Sequence, residues 1–281
     1  MDALIFHNDR IIPLPEAHLS PGQMGLLMGW GVFTTLRIYE GKPFAFDRHW
    51  ARMSRDAERL RMNLGREREA IRQAVCRLAE ANNRPEGMAR VSFVKNDGGL
   101  WAQTGSRPET DLLIFTRELV QWPVAQRLTI RPHSVYSAAQ LAGAKMLSWV
   151  QNAALLEQGH AEGFDDVVLL NESGHIVECT SANFFLVRGG KVMTPPLSTG
   201  CLPGITRGVL CEVIPKLGFE LAEENLVPED LSSADEAFIT STTREVAAVG
   251  RIDPQWVYHA PGKISVTIEQ SFRNYVHSHL D

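Results

Sequence analysis

Two periods alternate along this chain. Short runs of β-branched and aromatic residues bounded by Gly, Asn and Asp predict strands. Longer runs with apolar residues three and four apart predict helices. Leu4–His7 and Ile11–Leu14 flank Asn8-Asp9 and predict an opening hairpin. Ser20-Pro21 introduces a short helix or turn. Gly29-Trp-Gly-Val-Phe-Thr-Thr-Leu-Arg-Ile-Tyr39 is a glycine-rich approach to a strand, and Glu40-Gly41 turns it into a second strand, Lys42–Phe46. Asp47 is the expected N-cap of a helix reaching Met62, whose apolar face is Trp50, Met53, Ala57 and Leu60. A further helix, about Arg66–Ala81, ends at Asn82-Asn83-Arg84-Pro85, and strands Ala89–Lys95 and Asp111–Thr116 enclose the loop Asn96–Pro108.

The pattern breaks at Glu118–Gln126 around Pro123 and restarts with a strand at Arg127–Arg131. Two domains are therefore expected: 1–118, a linker at 119–126, and a larger domain at 127–281 that carries Lys145. In the second, Lys145 precedes a helix through about Gln158. Strands follow at Asp166–Leu170 and His175–Glu178, then a hairpin of Asn183–Arg188 and Lys191–Met193 around Gly189-Gly190. A helix runs from Gly204-Ile-Thr to Gly218. After it come a strand at Phe219–Leu226, a short helix at Pro228–Leu231, and strands at Glu236–Thr240 and Val246–Gly250. Ile264, Ile268, Phe272 and Tyr275-Val276 line a terminal helix. Many hairpins with few helices predict an α+β fold.

The composition narrows the chemistry. With 281 residues and a net charge of −5, the chain lacks the strongly basic balance of a nucleic-acid-coating protein. No run approaches a membrane span, and the N-terminus is too short and polar for a signal peptide. Cys76, Cys179, Cys201 and Cys211 lie far apart without metal-type spacing, as expected of reduced thiols in a cytoplasmic protein that holds no metal.

Several stretches carry candidate chemistry. Lys145 sits in Gly143-Ala-Lys-Met-Leu147, in small and apolar company. Leu202-Pro-Gly-Ile-Thr-Arg207 opens a helix whose first amides lack internal partners and can hold a phosphate, though an ordinary helix start reads the same way. Thr240-Ser-Thr-Thr-Arg-Glu245 places hydroxyls where a strand exits, suited to phosphate oxygens or to a solvated turn. Arg52 follows Asp47 on a predicted helix. Such an arginine is ordinarily solvated, as Arg48, Arg55 and Arg59 are expected to be, but it could also grip a phosphate. Glu178 ends an apolar strand, where a carboxylate is usually idle and could instead face a ring nitrogen. A lysine, a carboxylate, two hydroxyl-bearing turns and an arginine together suit pyridoxal 5'-phosphate (PLP).

In this order the segments resemble the class IV aminotransferases of PLP fold type IV. That family holds branched-chain aminotransferases, D-amino-acid aminotransferases and aminodeoxychorismate lyases. The resemblance runs from the opening hairpin to the Ser-Thr-Thr turn. It is strongest in Gly29–Gly41, at Lys145, in Val177-Glu-Cys-Thr-Ser-Ala-Asn-Phe-Phe-Leu186 and in Leu202–Arg207. It implies a small N-terminal α/β domain and a larger β-barrel-like domain with helices, with PLP in the cleft and a homodimer completing the pocket. It implies Lys145 as the catalytic Schiff-base lysine and proton shuttle, with Glu178 at the pyridine nitrogen. Arg52, Ile205, Thr206, Ser241 and Thr242 would bind the phosphate, and Phe33 would wall the substrate pocket with Trp101 and Trp149, although each of these three rings more readily reads as core or interface packing.

The subfamily is less plain. D-amino-acid aminotransferases carry an Arg-x-His trap where Gly99-Leu-Trp-Ala102 stands here, and tyrosine in place of Phe33. Branched-chain enzymes have glutamate where Thr34 stands. The run Phe33-Thr34-Thr35 and the strand from Arg90 resemble the lyases instead. The expected activity is transfer between a hydrophobic, branched-chain-type amino acid and 2-oxoglutarate, acting on small molecules and on neither nucleic acid nor membrane. The alternatives are aminodeoxychorismate lyase activity, or a non-catalytic protein that keeps the fold.

Overall fold

The computed structural model describes residues 1–96, 108–253 and 255–280. The chain divides into two compact units. One comprises residues 1–120 with Lys145–Trp149 and the extreme C-terminus, and the other residues 121–144 and 150–278. Lys145–Trp149, expected with the C-terminal domain, thus groups with the first unit.

The first unit is built on one antiparallel sheet. Its strands are β1 (Leu4–His7), β2 (Arg10–Pro13), β3 (Gly31–Tyr39), β4 (Lys42–Pro43), β5 (Gly87–Lys95) and β6 (Thr110–Arg117), in the order β2-β1-β6-β5-β3-β4. The predicted hairpin is present, with Asn8 in the left-handed region at φ 55°. Its helices are α1 (Met24–Met28), α2 (Phe46–Arg59) and α3 (Arg68–Ala81). Asp47 does not cap α2. The N-cap is Ala45 at φ 50°, and Asp47 lies in the first turn, where a carboxylate favours the helix dipole, and pairs with Arg68 at 2.9 Å.

Pairing register assigns the faces of this sheet. Residues directly opposite in an antiparallel pair share a face, and successive residues alternate. Val32, Thr34, Leu36 and Ile38 pair with Phe93, Val91, Ala89 and Gly87, whereas Phe33 and Thr35 pair with Ser92 and Arg90. The first set is buried along with Met53 and Ala57 of α2 and Ile71, Val75 and Leu78 of α3. Phe33 and Arg90 therefore look away from the face that carries Thr34.

The second unit has β7 (Ala125–Val135), α4 (Val150–Ala161), β8 (Asp166–Asn171), β9 (Ile176–Cys179), β10 (Asn183–Arg188) and β11 (Lys191–Thr194). It continues with α5 (Ile205–Val213), β12 (Leu221–Glu223), β13 (Glu236–Ser241), β14 (Glu245–Ile252), β15 (Trp256–Val257) and α6 (Lys263–Ser278). The sheet order is β12-β11-β10-β13-β14-β7-β8-β9, with β15 on β14. β9 ends the ladder, yet only Thr180–Ala182 join it to the interior strand β10. A flat sheet would separate those strands by five spacings, about 24 Å. The link spans at most ~15 Å. The sheet must curl, as a barrel-like domain requires. Inside lie Leu128, Val168, Ile176, Phe184, Leu186, Ile239 and Val249. The predicted strand Phe219–Leu226 shrinks to the three residues of β12, which pairs only with β11 at the sheet edge. The predicted helix ending at Gly218 splits into α5 and a 3-10 turn at Pro215–Leu217, with Gly218 at φ 84°.

Candidate active site

In the first unit Lys145 continues the sheet. Phe33 donates its N–H to the Lys145 carbonyl at 3.2 Å and Leu147 donates to Gly31 at 2.8 Å, with Val32 bridged to Met146. Glycine at position 31 is required by this approach, because a Cβ there would collide with the Leu147 side chain and the Phe93 carbonyl. The Lys145 N–H donates to the carboxylate of Asp56 at 3.0 Å, so the lysine backbone is held on both sides. Its Nζ lies 4.6 Å from the centre of the Phe33 ring and 4.4 Å from that of Trp149. Those two rings meet edge to face at 5.7 Å. The Arg90 guanidinium lies 3.7 Å from the centre of the Phe33 ring. Burial pulls its pKa down, and among the described residues no carboxylate pairs with it.

Arg52 is buried, at 6% exposure, contrary to the ordinary expectation for a helix arginine. Its Nη2 donates to Thr34 Oγ1 at 3.0 Å, and the same hydroxyl lies 2.7 Å from His49 Nδ1. His49, Arg52 and Asp56 fall three and four apart and form a buried polar stripe along α2. Burial, then the charge of Arg52, then that of Lys145, hold the His49 imidazole well below its ordinary value, so it is neutral.

The second unit assembles the remaining candidates. Glu178 lies inside β9, one residue short of its end at Cys179, rather than ending the strand. It accepts the Leu202 N–H and the Asn183 Nδ2 amide, each at 3.1 Å. Asn183 also donates to the Leu202 carbonyl at 2.8 Å, so one amide ties the carboxylate to the turn before α5. Gly204 is needed in that turn, because a Cβ would collide with the Asn183 amide. No side chain caps α5 at Gly204. Its first residues, Ile205 and Thr206, present the amides that a helix start leaves without internal partners, and Thr206 is buried. Asn183 pairs across the sheet with Thr240, which opens the second hydroxyl turn. The Thr240 hydroxyl is buried without a hydrogen-bond partner among the described residues. Ser241 Oγ accepts the Arg244 N–H at 3.1 Å, closing the turn that contains Thr242.

A buried ion pair joins the carboxylate turn to the hydroxyl turn. Asp166 and Arg244 meet at 3.0 Å with side chains 0% and 2% exposed. Asp166 also accepts from Thr180 and Ser181, just after Glu178, and Arg244 donates to Ser181 Oγ at 2.7 Å and lies over Trp122.

Each unit thus carries its own candidates: Lys145, Phe33 and Trp149 in contact and Arg52 on the Thr34 side in the first, and Glu178, Ile205, Thr206, Ser241 and Thr242 in the second. Trp101 and most of the loop Asn96–Pro108 lie outside the described residues. Sequence reasoning did not single out Asp56, His49, Asp166 or Asn183. Their signal was a polar residue at a predicted buried position, visible for His49 and Asp56 in the α2 period and absent for Asp166. The four cysteines are unbridged, and burial pushes the Cys201 thiol up to about 12, which leaves it no nucleophilic role. Among the described residues no group of His, Cys, Asp or Glu could hold a metal ion, and no helix is long and apolar enough to cross a membrane.

Several known proteins resemble this chain over nearly its whole length. A Methanocaldococcus jannaschii protein assigned as a branched-chain-amino-acid aminotransferase is 29% identical over 279 residues, covering 96% of this chain and 95% of that protein. The aminodeoxychorismate lyase of Bacillus subtilis is 30% identical over 259 residues, covering 89% of this chain and 87% of the lyase. The crystal structure of the Thermoproteus uzoniensis branched-chain aminotransferase with norvaline superposes with a TM-score of 0.90 at 26% identity, over 99% of this chain and 96% of that one. The family model for class IV amino-transferases matches residues 31–252, a span that takes in Phe33, Arg52, Lys145, Glu178 and both hydroxyl turns. The chain belongs to the class IV aminotransferase family.

Proposed function

We propose that this protein is a PLP-dependent aminotransferase that moves an amino group between a hydrophobic, branched-chain-type amino acid and 2-oxoglutarate, working as a homodimer. The observation that carries the reading is the position of Lys145, whose amine is held against the rings of Phe33 and Trp149. A lysine amine is the group that can bond to a carbonyl and, once released, move a proton. The same rings offer an apolar wall to a hydrophobic side chain.

The residues fit PLP. The uncapped start of α5 and the orphaned hydroxyl of Thr240 suit a phosphate, and Glu178, fixed by two donors, suits a ring nitrogen. When bound, PLP supplies an electron sink that acidifies the Cα–H of the amino acid joined to it. Lys145 would anchor the cofactor at rest and, once released, take the proton from Cα and return one on the cofactor side. Glu178 would keep the ring nitrogen protonated. Arg52, the Ile205 and Thr206 amides, Ser241 and Thr242 would hold the phosphate. Arg90, desolvated beside Phe33 and without a carboxylate among the described residues, suits the second carboxylate of 2-oxoglutarate.

A second reading, aminodeoxychorismate lyase activity, is favoured by the 30% identity to the Bacillus lyase and uses the same lysine. PLP-loaded protein is expected to form glutamate from L-leucine and 2-oxoglutarate and no 4-aminobenzoate from aminodeoxychorismate. The reverse outcome selects the lyase. Wild-type protein mixed with PLP should show a visible band that borohydride bleaches, and Lys145→Ala should lack it. A wild-type protein that stays colourless with PLP ends both readings.

A further inference from the structure

We propose that Thr34 and His49 are positioning residues that hold Arg52 on the cofactor's phosphate, so that Thr34 governs cofactor retention and not the choice of substrate. The inference rests on the PLP reading above. Thr34 adjoins Phe33 in sequence, but the pleat turns the two side chains to opposite faces of the sheet. Phe33 meets Lys145, Trp149 and Arg90, while Thr34 meets α2.

The hydrogen-bond directions follow from donor chemistry. A guanidinium only donates, so the Thr34 oxygen accepts from Arg52 Nη2 at 3.0 Å. The hydroxyl has one hydrogen to give, and among the described residues the acceptor within its reach is His49 Nδ1 at 2.7 Å. Nδ1 is then the bare nitrogen, and the imidazole is neutral with its proton on Nε2. The lowered pKa of His49 agrees independently. A protonated His49 would add a like charge beside Arg52 and compete for the same oxygen.

All three side chains are buried, with Thr34 and His49 at 1% exposure and Arg52 at 6%. Water cannot orient the guanidinium there, so a fixed acceptor must. An arginine side chain otherwise loses about 2 kcal/mol of rotamer freedom when a ligand immobilises it. A chain of two short hydrogen bonds anchored on α2 imposes that order before the ligand arrives.

The test compares binding of PLP with binding of pyridoxal, which has the aldehyde and ring but no phosphate, followed by the visible band. Thr34→Val and His49→Leu should each weaken PLP binding by roughly tenfold or more, the scale of a lost hydrogen bond to a charged group, and leave pyridoxal binding unchanged. His49→Asn, whose amide oxygen can stand near the place of Nδ1, should restore most of the PLP affinity. Adding His49→Leu to Arg52→Gln should cost nothing further, because the path through Arg52 is already cut. Equal weakening of PLP and pyridoxal, or additive losses in the double variant, would overturn the proposal. If His49→Leu does not fold, the near-isosteric Thr34→Val decides by the same comparison. Wild-type protein that binds pyridoxal and PLP equally overturns the phosphate role of Arg52 and this inference with it, while the lysine chemistry stands.

Discussion

At the scale of single residues, the informative ones are polar groups where the helical period calls for apolar ones. His49, Arg52 and Asp56 lie on the buried stripe of α2 beside Met53 and Ala57. Read from sequence, Arg52 carried the same solvated expectation as Arg48, Arg55 and Arg59, because residue type alone does not give depth. Its burial and its pairing with Thr34 separate it. His49 has a measurable consequence. Its unfolded imidazole takes up a proton near 6.5, and the native one does so only well below that. Between the two values the unfolded state binds more protons, so stability rises with pH. The contribution is fully present above about 6.5 and is lost as the pH falls toward the native value. Urea denaturation over roughly pH 5 to 7 should show this slope in wild-type protein and a flatter one in His49→Asn. Equal slopes would mean that His49 titrates normally in the native protein.

At the scale of elements, most strands and helices were legible because hydrophobic period and glycine or asparagine turns coincide, as in β1–β2 and β10–β11. Their ends were less so. Ala45 rather than Asp47 is the N-cap of α2, since a left-handed residue there depends on how β4 delivers the chain. β12 is short because it pairs on one side only. In the second unit the Asp166–Arg244 pair links two turns more than sixty residues apart, Ser181 to Arg244. Asp166→Ala would leave a guanidinium buried without its main partner, and removing one member of such a pair costs about 3–5 kcal/mol. A loss of that size in chemical denaturation is expected, together with weaker PLP binding. A change below about 1 kcal/mol would mean that solvent reaches Arg244 and replaces the carboxylate.

At the scale of the whole molecule, the two units each carry part of the candidate set, and the proposed function has both parts serve PLP. If both serve PLP, the native protein binds it and the unfolded chain does not. Its stability should then rise with free PLP, by about 2.7 kcal/mol at a hundredfold excess over Kd. A matching upward shift in thermal denaturation is expected with PLP and not with pyridoxine 5'-phosphate, which cannot bond to Lys145 as an aldehyde does and should retain only the phosphate share. Equal shifts would assign the binding to the phosphate alone and remove Lys145 from it.

By itself the sequence determined the class of the protein. Period placed most strands and helices, and the order of Arg52, Lys145, Glu178 and the two hydroxyl turns pointed to one family. These properties are local or depend on order along the chain, so they can be read in one dimension. Tertiary structure decided which side each residue faces and what it meets there. It put Thr34 against His49 and Arg52 and Phe33 against Lys145 and Trp149, joined Lys145 to the start of β3, and set Asp166 under the turn after Glu178. Those outcomes depend on register and burial between segments far apart in sequence, and nothing in the local residue pattern encodes them.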